Sequence, residues 1–404
     1  MAYSWKRNLF VLWIGVFFCS TAYSTSIPFI PIFLSADLGV TDHLSLWSGI
    51  AFGITFLASA LIAPYWGSLA DKYGRKPMLI RSGFSLAFLY LLTYFIYDPY
   101  LFIALRVFQG LLAGYVPAAI AMVATNTPED KSGYALGIMS TSGATGGIFG
   151  PLLGGVVSHY MGNRESFLVS AGVVLIAALI ATLFAKEHKF NRNAVRSSVK
   201  DDVKLALSNK PFAALLLLTG MTTFSVMIIE PVLTVYVMEL GATPGNASLL
   251  SGIVFSAVGI ATLVAAPQWG KFGQRIGFQT VLLAGLLGGA VGNGLQFFVG
   301  HYGEFGVLRF VYGLFFAAVY PAINASIVKV TDSSFRGRAF SLNQSANQLA
   351  TMVGPIVGGA LGGWLPIRWI FVLNGIMLAG AALFLYRIRR SRQSGKDTGA
   401  PATM

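Results

Sequence analysis

A single carboxylate lies deep within the apolar part of this sequence. Of the 15 acidic residues, all except Glu230 fall in polar stretches or at the edges of apolar ones, and Glu230 directly precedes Pro231. Burial in hydrocarbon disfavours a charged carboxylate, so such a side chain can take up and release protons as its surroundings change. Glu230 is therefore the first candidate for a proton carrier, and Asp37 is the second. The alternative is that Glu230 lies near lipid headgroups and is simply hydrated.

Two arginines also stand inside apolar stretches. Arg106 lies in the run from Leu105 to Gly110, and Arg309 occupies the equivalent place 203 residues later. A buried guanidinium must be paired or hydrated, which makes an intramembrane arginine a candidate functional residue. Arg106 is therefore a candidate functional residue within the apolar segments. The alternative is that both arginines tie helices together through hydrogen bonds to backbone carbonyl oxygens.

These residues are surrounded by long apolar segments. The chain has 404 residues, of which 55% are hydrophobic and 11% charged, against about 25% charged in soluble domains. Helical spans need about 20 apolar residues, whereas barrel strands alternate apolar and polar residues. The composition therefore excludes a soluble enzyme and an outer-membrane barrel, and it predicts an all-α polytopic membrane protein with 12 transmembrane helices. The predicted spans are 9–34, 46–70, 77–97, 100–126, 134–158, 166–185, 211–238, 248–270, 278–299, 303–328, 338–364 and 368–386.

The basic residues indicate how the spans are oriented. The net charge is +13, and most of the 28 lysines and arginines fall in the termini, the polar segment 186–210 and every second loop. Basic loops stay on the cytoplasmic side of a membrane, beside anionic lipid headgroups. The prediction is a multi-pass protein of the cytoplasmic membrane with both termini in the cytoplasm. This distribution explains the charge without nucleic acid, and a single cysteine, Cys19, excludes an intramolecular disulfide.

An internal repeat divides the chain. Residues 48–74 match residues 251–277 without a gap at an offset of 203, and the offset becomes 204 further along. Duplication of a six-helix unit gives two halves with the same membrane orientation, and in such proteins the substrate path lies between the halves. The predicted organisation is an N-terminal bundle over 1–185, a cytoplasmic linker over 186–210, a C-terminal bundle over 211–387 and a cytoplasmic tail over 388–404.

The loop between the second and third spans carries a compact motif of glycines and charges. Its members are Gly67, Asp71, Gly74, Arg75 and Lys76, followed by Arg81 in the next span. The motif resembles the hallmark loop of the major facilitator superfamily. The resemblance implies that superfamily's fold of two parallel-repeat six-helix bundles, and a charged latch that breaks during switching. In the second half Gln274 and Phe278 replace Asp71 and Arg75, so the latch is asymmetric.

The fifth span has one surface almost free of side chains. Small residues let a neighbouring helix approach closely, and proline bends a helix. This run resembles the motif typical of the superfamily's twelve-span drug:proton antiporters, and Arg106 resembles the arginine of the superfamily's proton-coupling motif. The residues are Gly146, Gly150, Pro151, Gly154 and Gly155, with Gly354 and Pro355 at the equivalent place in the eleventh span.

Polar and polarizable side chains in several spans are candidates for lining a substrate cavity. Thr223 and Met227 share a helix face with Glu230, and methionine adapts to unlike apolar ligands. An amide-rich stripe in the eleventh span is too polar to face lipid. For the aromatic residues and methionines, ordinary helix packing is the alternative. The candidates are Tyr23, Asn126, Thr223, Phe224, Met227, Glu230, Tyr320, Asn324, Asn343, Gln344 and Asn347.

The function implied by the resemblance is proton-coupled efflux of small amphipathic cationic or neutral compounds by alternating access. We expect a monomer that uses no metal or cofactor. A dedicated exporter of a metabolite, sugar or lipid intermediate on the same fold is the alternative. An intramembrane enzyme is disfavoured, because the four histidines lie near the outer surface or in the linker and form no catalytic constellation within the spans.

Overall fold

The computed structural model describes residues 5–187, 199–243, 245–332 and 335–397, and these residues form helices and no β-strand. In a membrane every backbone N–H and C=O group must be satisfied within its own segment, and the helix achieves this. The all-α fold predicted from the apolar stretches is therefore confirmed.

The first half of the described chain forms eight α-helices. Pro28 and Pro31 lack a backbone N–H, so the first span does not continue as one helix and instead breaks into α1, α2 and a π-helical turn. Gly114, with a φ of +137°, separates α5 from α6. The helices are α1 (Trp5–Thr25), α2 (Ile30–Ile32), which the π-helix Phe33–Asp37 follows, α3 (Leu44–Tyr73), α4 (Arg75–Tyr94), α5 (Pro99–Leu112), α6 (Tyr115–Asn126), α7 (Glu129–Tyr160) and α8 (Asn163–Phe184).

The second half follows the same plan. The segment predicted to be a linker contains a helix, α9, and the last helix continues past the apolar residues into the predicted tail. The helices are α9 (Val199–Ser208), α10 (Lys210–Met227), α11 (Glu230–Glu239), α12 (Ala247–Ile276), α13 (Phe278–Leu295), which the 3-10 turn Gln296–Phe298 follows, α14 (Tyr302–Phe316), α15 (Val319–Val330), α16 (Arg336–Trp364) and α17 (Ile367–Asp397).

Nine segments in the described part of the chain are long and apolar enough to cross a membrane. Three of them contain an interrupted helix, since Pro99–Asn126 joins α5 to α6, Lys210–Glu239 joins α10 to α11, and Tyr302–Val330 joins α14 to α15. The long helices α4, α7 and α16 lie between these segments along the chain. Together with the nine segments they correspond to the twelve spans predicted from the sequence. The chain is a multi-pass membrane protein.

The sequence repeat is reproduced by side-chain contacts within each half. The indole Nε1 of Trp66 on α3 donates to the carbonyl oxygen of Leu111 over 2.7 Å. Trp269 on α12 donates to the carbonyl oxygen of Leu314 over the same 2.7 Å. Both residues of the second pair lie 203 positions after their counterparts. The duplication therefore preserves the packing of one helix on another as well as the residue pattern.

The chain divides into two compact units, which do not coincide with the two sequence halves. The larger unit is Met1–Arg196, Met227–Gly259 and Thr351–Leu365, and the smaller unit is Ser197–Val226, Ile260–Ala350 and Pro366–Met404. In the larger unit Phe33 packs edge-on against Phe102 and Phe167, with ring centroids 5.3 and 4.9 Å apart. In the smaller unit Phe305 and Phe371 pack in the same way at 5.5 Å. Aromatic pairs of this geometry stabilise both cores.

Candidate functional site

Neutral acceptors surround Arg106 on α5, and its side chain is 1% exposed. Its Nε donates to the carbonyl oxygen of Ala51 over 2.8 Å, and its Nη1 donates to Oε1 of Gln109 over 3.0 Å. The hydroxyl of Thr55 donates to the carbonyl oxygen of Arg106 over 3.1 Å. None of these acceptors is a carboxylate, and Nη2 meets no hydrogen-bond acceptor within the described residues. A group further away must therefore balance this buried positive charge.

Tyr23 interacts with both Arg106 and Glu230. Its hydroxyl is buried and interacts electrostatically with each of these side chains. Its ring packs edge-on against Phe56, with centroids 5.6 Å apart. Tyr23 comes from α1 and Arg106 from α5, whereas Glu230 begins α11, so both sequence halves contribute to this group within the larger unit. The structure brings together three residues singled out in the sequence and adds a connection that the sequence did not predict.

Glu230 owes its position to the proline that follows it. Pro231 has no N–H, and its ring excludes the carbonyl of Met227 four residues earlier, so α10 ends at Met227 and α11 begins at Glu230. A carboxylate in the first turn of a helix is favoured by the partial positive charge of that end. The Glu230 side chain is half-buried. The start of α11 therefore stabilises the charged form of Glu230, while the surrounding residues shield part of its side chain from solvent.

Two asparagines of the amide stripe on α16 form hydrogen bonds with threonines of α10 in the smaller unit. The hydroxyl of Thr219 donates to Oδ1 of Asn343 over 2.6 Å, and that of Thr223 donates to Oδ1 of Asn347 over 2.8 Å. Thr223 also lies 3.4 Å from the hydroxyl of Tyr320. Both pairs follow the four-residue spacing of a helix face, so α10 and α16 meet along a polar seam. Thr219 was missed in the sequence because a lone threonine in an apolar run carries no distinctive signal.

The other cavity candidates differ in exposure. Asn324 and Gln344 are exposed, whereas Phe224 and Met227 are half-buried. Asn126 is 4% exposed, and its Nδ2 donates to the carbonyl oxygen of Met122 on the same helix over 3.1 Å. That contact satisfies the amide locally, as polar side chains in helices commonly do.

The glycines of α7 lie against α1. A Cβ at Gly146 would lie 2.7 Å from the carbonyl oxygen of Phe17, and one at Gly150 would lie 2.5 Å from Cβ of Ser24. A Cβ at Gly154 would overlap the carbonyl oxygen of Thr25. Backbone oxygens cannot move aside as a flexible side chain can, so the three glycines allow the two helices to pack closely.

Two glycine pairs join helices of different sequence halves within the larger unit. Gly155 on α7 packs against Gly252 on α12, where a Cβ at Gly155 would lie 3.4 Å from the Gly252 Cα. Gly49 on α3 packs against Gly359 on α16, where a Cβ at Gly49 would lie 2.8 Å from the Gly359 Cα. The carbonyls of Pro151 and Pro355 contact the partner glycines Gly252 and Gly49. The two crossings are related by the internal repeat.

The loop between α3 and α4 is closed by a carboxylate that the motif did not include. Gly74 turns the chain with a φ of +97°, and the backbone N–H groups of Arg75 and Lys76 donate to Glu187 over 2.8 to 3.0 Å. Lys76 Nζ donates to the carbonyl oxygen of Thr182 over 3.0 Å. Glu187 therefore satisfies the free N–H groups at the start of α4. No local signal could have identified it, because it lies 112 residues after Arg75.

The remaining members of this motif have different surroundings. A Cβ at Gly67 would meet open space, so this glycine allows no close contact inside the unit. The guanidinium of Arg81 lies 3.3 Å from the ring centroid of Trp66, and its Nη2 donates to the carbonyl oxygen of Ala113 over 3.2 Å. The Asp71 side chain lies outside the described residues.

Replacing Glu187 with alanine is expected to lower the apparent melting temperature in detergent. The change leaves two N–H groups at the start of α4 without their carboxylate, and loss of a capping acceptor costs about 0.5–2 kcal/mol, or roughly 2–6 °C. Thermal unfolding followed by tryptophan fluorescence measures the effect. The control is Asp42→Ala, which removes an exposed carboxylate from a loop. Equal melting temperatures for the two variants would contradict the capping role.

Asp37 belongs to a polar network at the end of the π-helix Phe33–Asp37 and the start of α8. Its carboxylate forms an ion pair with Arg164 at 3.3 Å and accepts from Nδ2 of Asn163 over 2.7 Å. The Ser158 hydroxyl contacts the Asn163 side chain and, at 2.8 Å, the hydroxyl of Ser248 on α12. The network links both sequence halves inside the larger unit. Its components come from separate segments of the chain, and the sequence offered no sign of their proximity.

Comparison with known proteins agrees with this arrangement. The family model described as Major Facilitator Superfamily matches residues 12–260 and 215–403. A protein of Escherichia fergusonii named "Multidrug resistance protein MdtG" is 36% identical over 405 residues, covering 98% of each chain. Its namesake in Citrobacter koseri is 37% identical, covering 97% of each chain.

Solved structures show the same fold at low sequence identity. A mutant of the nucleoside transporter NupG superposes with a TM-score of 0.76 at 14% identity, covering 94% of this chain and 99% of that one. A bacterial homolog of the human lysosomal transporter Spinster, in an inward-facing and occupied conformation, superposes with a TM-score of 0.79 at 15% identity, covering 96% and 98%. At this identity the likeness concerns the fold alone.

Proposed function

The chain belongs to the major facilitator superfamily, and from that premise we propose that it exports small amphipathic drugs across the cytoplasmic membrane in exchange for protons. The printed names of the relatives at 36 to 37% identity support drugs as the substrate class. The resemblance based on the loop, arginine and glycine motifs is confirmed at the level of the family.

The observation that carries the proposal is the group formed by Glu230, Tyr23 and Arg106. A half-buried carboxylate on α11 and a buried guanidinium on α5 both interact with one buried hydroxyl. The charge on Glu230 changes when a proton binds, and that change alters the electrostatic interaction with Tyr23, which also interacts with Arg106. Because the residues come from both sequence halves, the protonation state of one carboxylate acts on helices of both.

The proposed cycle follows from this electrostatic coupling. Deprotonated Glu230 attracts a cationic drug, and the positive end of α11 stabilises the carboxylate. Protonation removes the negative charge, which weakens the attraction for the cation and releases the drug. The carboxylate then carries either a proton or a drug, and this mutual exclusion couples the two fluxes. Asp37 takes no part in the cycle proposed here, because Arg164 and Asn163 already engage its carboxylate.

Alternating access requires contacts that form in one state and break in another. The glycine crossings of α7 with α12 and of α3 with α16 join the two sequence halves through backbone contacts, which makes them suitable for such a step. We assign the basic loops between α3 and α4 and between α12 and α13 to the cytoplasm, with both termini on the same side. The glycine crossings then close the opposite, external side.

Transport by purified protein tests the proposal. In proteoliposomes with an imposed pH gradient, we expect movement of ethidium against its concentration gradient, together with proton flux in the opposite direction. Both signals should vanish when an ionophore collapses the gradient, and protein-free liposomes provide the background. Ethidium movement that is indifferent to the gradient would contradict proton coupling. Absence of movement with any of several drugs would favour the dedicated exporter instead.

A further inference from the structure

The starts of α4 and α13 are equivalent in the internal repeat but differ in charge. Each helix follows a glycine with positive φ, Gly74 at +97° and Gly277 at +91°, separated by the repeat offset of 203. At α4, the N–H groups of Arg75 and Lys76 bind the carboxylate of Glu187, which follows α8. One copy of this site therefore holds an anionic group supplied by the chain itself.

The other copy is a cavity lined by cations. A cavity of about 310 Å³ lies at the start of α13. Lys329 from the end of α15 and Arg389 from α17 contribute positive charges, and Thr280 and Ser326 contribute hydroxyl groups. None of the residues lining the cavity in the described chain is acidic. The counterpart of α8 in the repeat is α17. The first half therefore places Glu187, just after α8, at the start of α4, whereas the second half places Arg389 of α17 at the start of α13.

Both cations are held by contacts of their own. Arg389 Nη1 donates to the hydroxyl of Thr280 over 3.1 Å, and Lys329 Nζ lies 5.5 Å from the ring centroid of Phe278. Within the described residues no side chain accepts from the N–H groups of Phe278 and Gln279, the counterparts of Arg75 and Lys76. The cavity thus offers two positioned cations and two backbone donors to the same small volume.

We propose that this cavity binds a phosphate group, and that its source is an anionic phospholipid headgroup. A guanidinium, an ammonium and helix N–H groups together match the oxygens of a phosphate. Ile276, which lines the cavity, is 56% exposed, and Phe272, four residues earlier on α12, is 49% exposed, so acyl chains have an apolar surface to contact. Further basic residues, Lys271, Arg275 and Arg387, lie close by in the sequence, and such clusters attract anionic lipid surfaces. The binding site is independent of the transported substrate.

Lipid binding to the full-length protein in detergent tests the proposal. Native mass spectrometry and thermal unfolding, with palmitoyl-oleoyl phosphatidylglycerol as the probe, should show bound lipid and a raised melting temperature. Phosphatidylcholine at the same concentration should give a smaller effect. Arg389→Glu gives this copy an internal carboxylate, as in the first half, and should weaken phosphatidylglycerol binding about tenfold or more. Arg389→Ala and Lys329→Ala should each weaken phosphatidylglycerol binding. These milder substitutions test the site even if Arg389→Glu folds poorly.

The matched control is Arg387→Glu, which makes the same charge change on α17 at an exposed position that does not line the cavity. Equal loss in Arg387→Glu and Arg389→Glu would overturn the proposal, as would undiminished binding by Arg389→Glu. Inorganic phosphate distinguishes the two sources. A melting temperature that rises with phosphatidylglycerol but not with millimolar inorganic phosphate would support the lipid as the source of the phosphate group. If inorganic phosphate raises the melting temperature as much as phosphatidylglycerol does, and Arg389→Glu abolishes that rise, the cavity binds phosphate but the lipid is not its source. That result would overturn the lipid part of the proposal.

Discussion

Replacing Glu230 with glutamine is expected to abolish proton-driven drug export, bringing the accumulation signal down to that of protein-free liposomes. Glutamine keeps the size and hydrogen bonding of the side chain but cannot ionise at physiological pH. The variant therefore resembles the protonated state permanently, and the proton gradient no longer has a charge on which to act. Exchange of labelled for unlabelled drug across the membrane, which needs no net proton movement, should persist for neutral substrates. That combination separates lost coupling from lost folding.

The matched control for this experiment is Glu239→Gln. Glu239 ends the same helix, α11, and its side chain is exposed. We expect its gradient-driven transport to remain close to that of the unmodified protein. Tyr23→Phe removes the hydroxyl that interacts with both Glu230 and Arg106, and it should shift the pH dependence of transport while leaving export measurable. Full gradient-driven export by Glu230→Gln would contradict the assignment of Glu230 as the proton carrier.

Substituting alanine for Gly359 is expected to weaken closure at the glycine crossing of α3 with α16 in the larger unit and to reduce transport strongly. A Cβ at this position would lie 2.7 Å from the Gly49 Cα and would overlap the carbonyl oxygen of Ser45. Because both contacts are with backbone, α3 and α16 must separate for the methyl group to fit. Overpacking of this kind costs about 1–3 kcal/mol, which corresponds to a shift of roughly 5- to 150-fold in a two-state population.

Hydrogen exchange of the two helix segments measures this shift. Peptides covering residues 44–52 and 355–363 should exchange faster in Gly359→Ala than in the unmodified protein. Gly363→Ala lies one turn further along α16, and a Cβ there would meet nothing within 4 Å. This control should leave both exchange and transport unchanged. Identical exchange in the two variants would show that the crossing of α3 and α16 does not depend on close approach at Gly359.

The glycine crossings explain how one motif can serve two contacts. Gly146, Gly150 and Gly154 face α1, whereas Gly155 faces α12. On a helix of 3.6 residues per turn, side chains of consecutive residues point in directions about 100° apart. The adjacent pair Gly154 and Gly155 therefore frees two different faces of α7 at one level. The pair Gly358 and Gly359 does the same for α16, since Gly358 contacts Ile228 and Gly359 contacts Gly49.

The helical fold, the order of the spans and the duplication were accessible from the sequence alone. Hydrophobic length is a local property, because a run of apolar residues must satisfy its own backbone hydrogen bonds wherever it lies in the membrane. The offset of 203 between residues 48–74 and 251–277 is equally independent of folding. The helix breaks near Pro28 and Pro231 were not predicted, since residue type alone does not fix them: Pro64 and Pro151 lie inside the continuous helices α3 and α7.

Only the tertiary structure decided which polar groups meet. Asn343 and Asn347 contact α10, while Gln344 on the next position is exposed. Glu187 binds the start of α4, and Tyr23 interacts electrostatically with both Arg106 and Glu230. These partners are separated by tens to hundreds of residues, so their proximity depends on which helices become neighbours and on how each is rotated. Local residue patterns define a helix and its apolar face, but they do not specify the partner that the polar residues of that helix will meet.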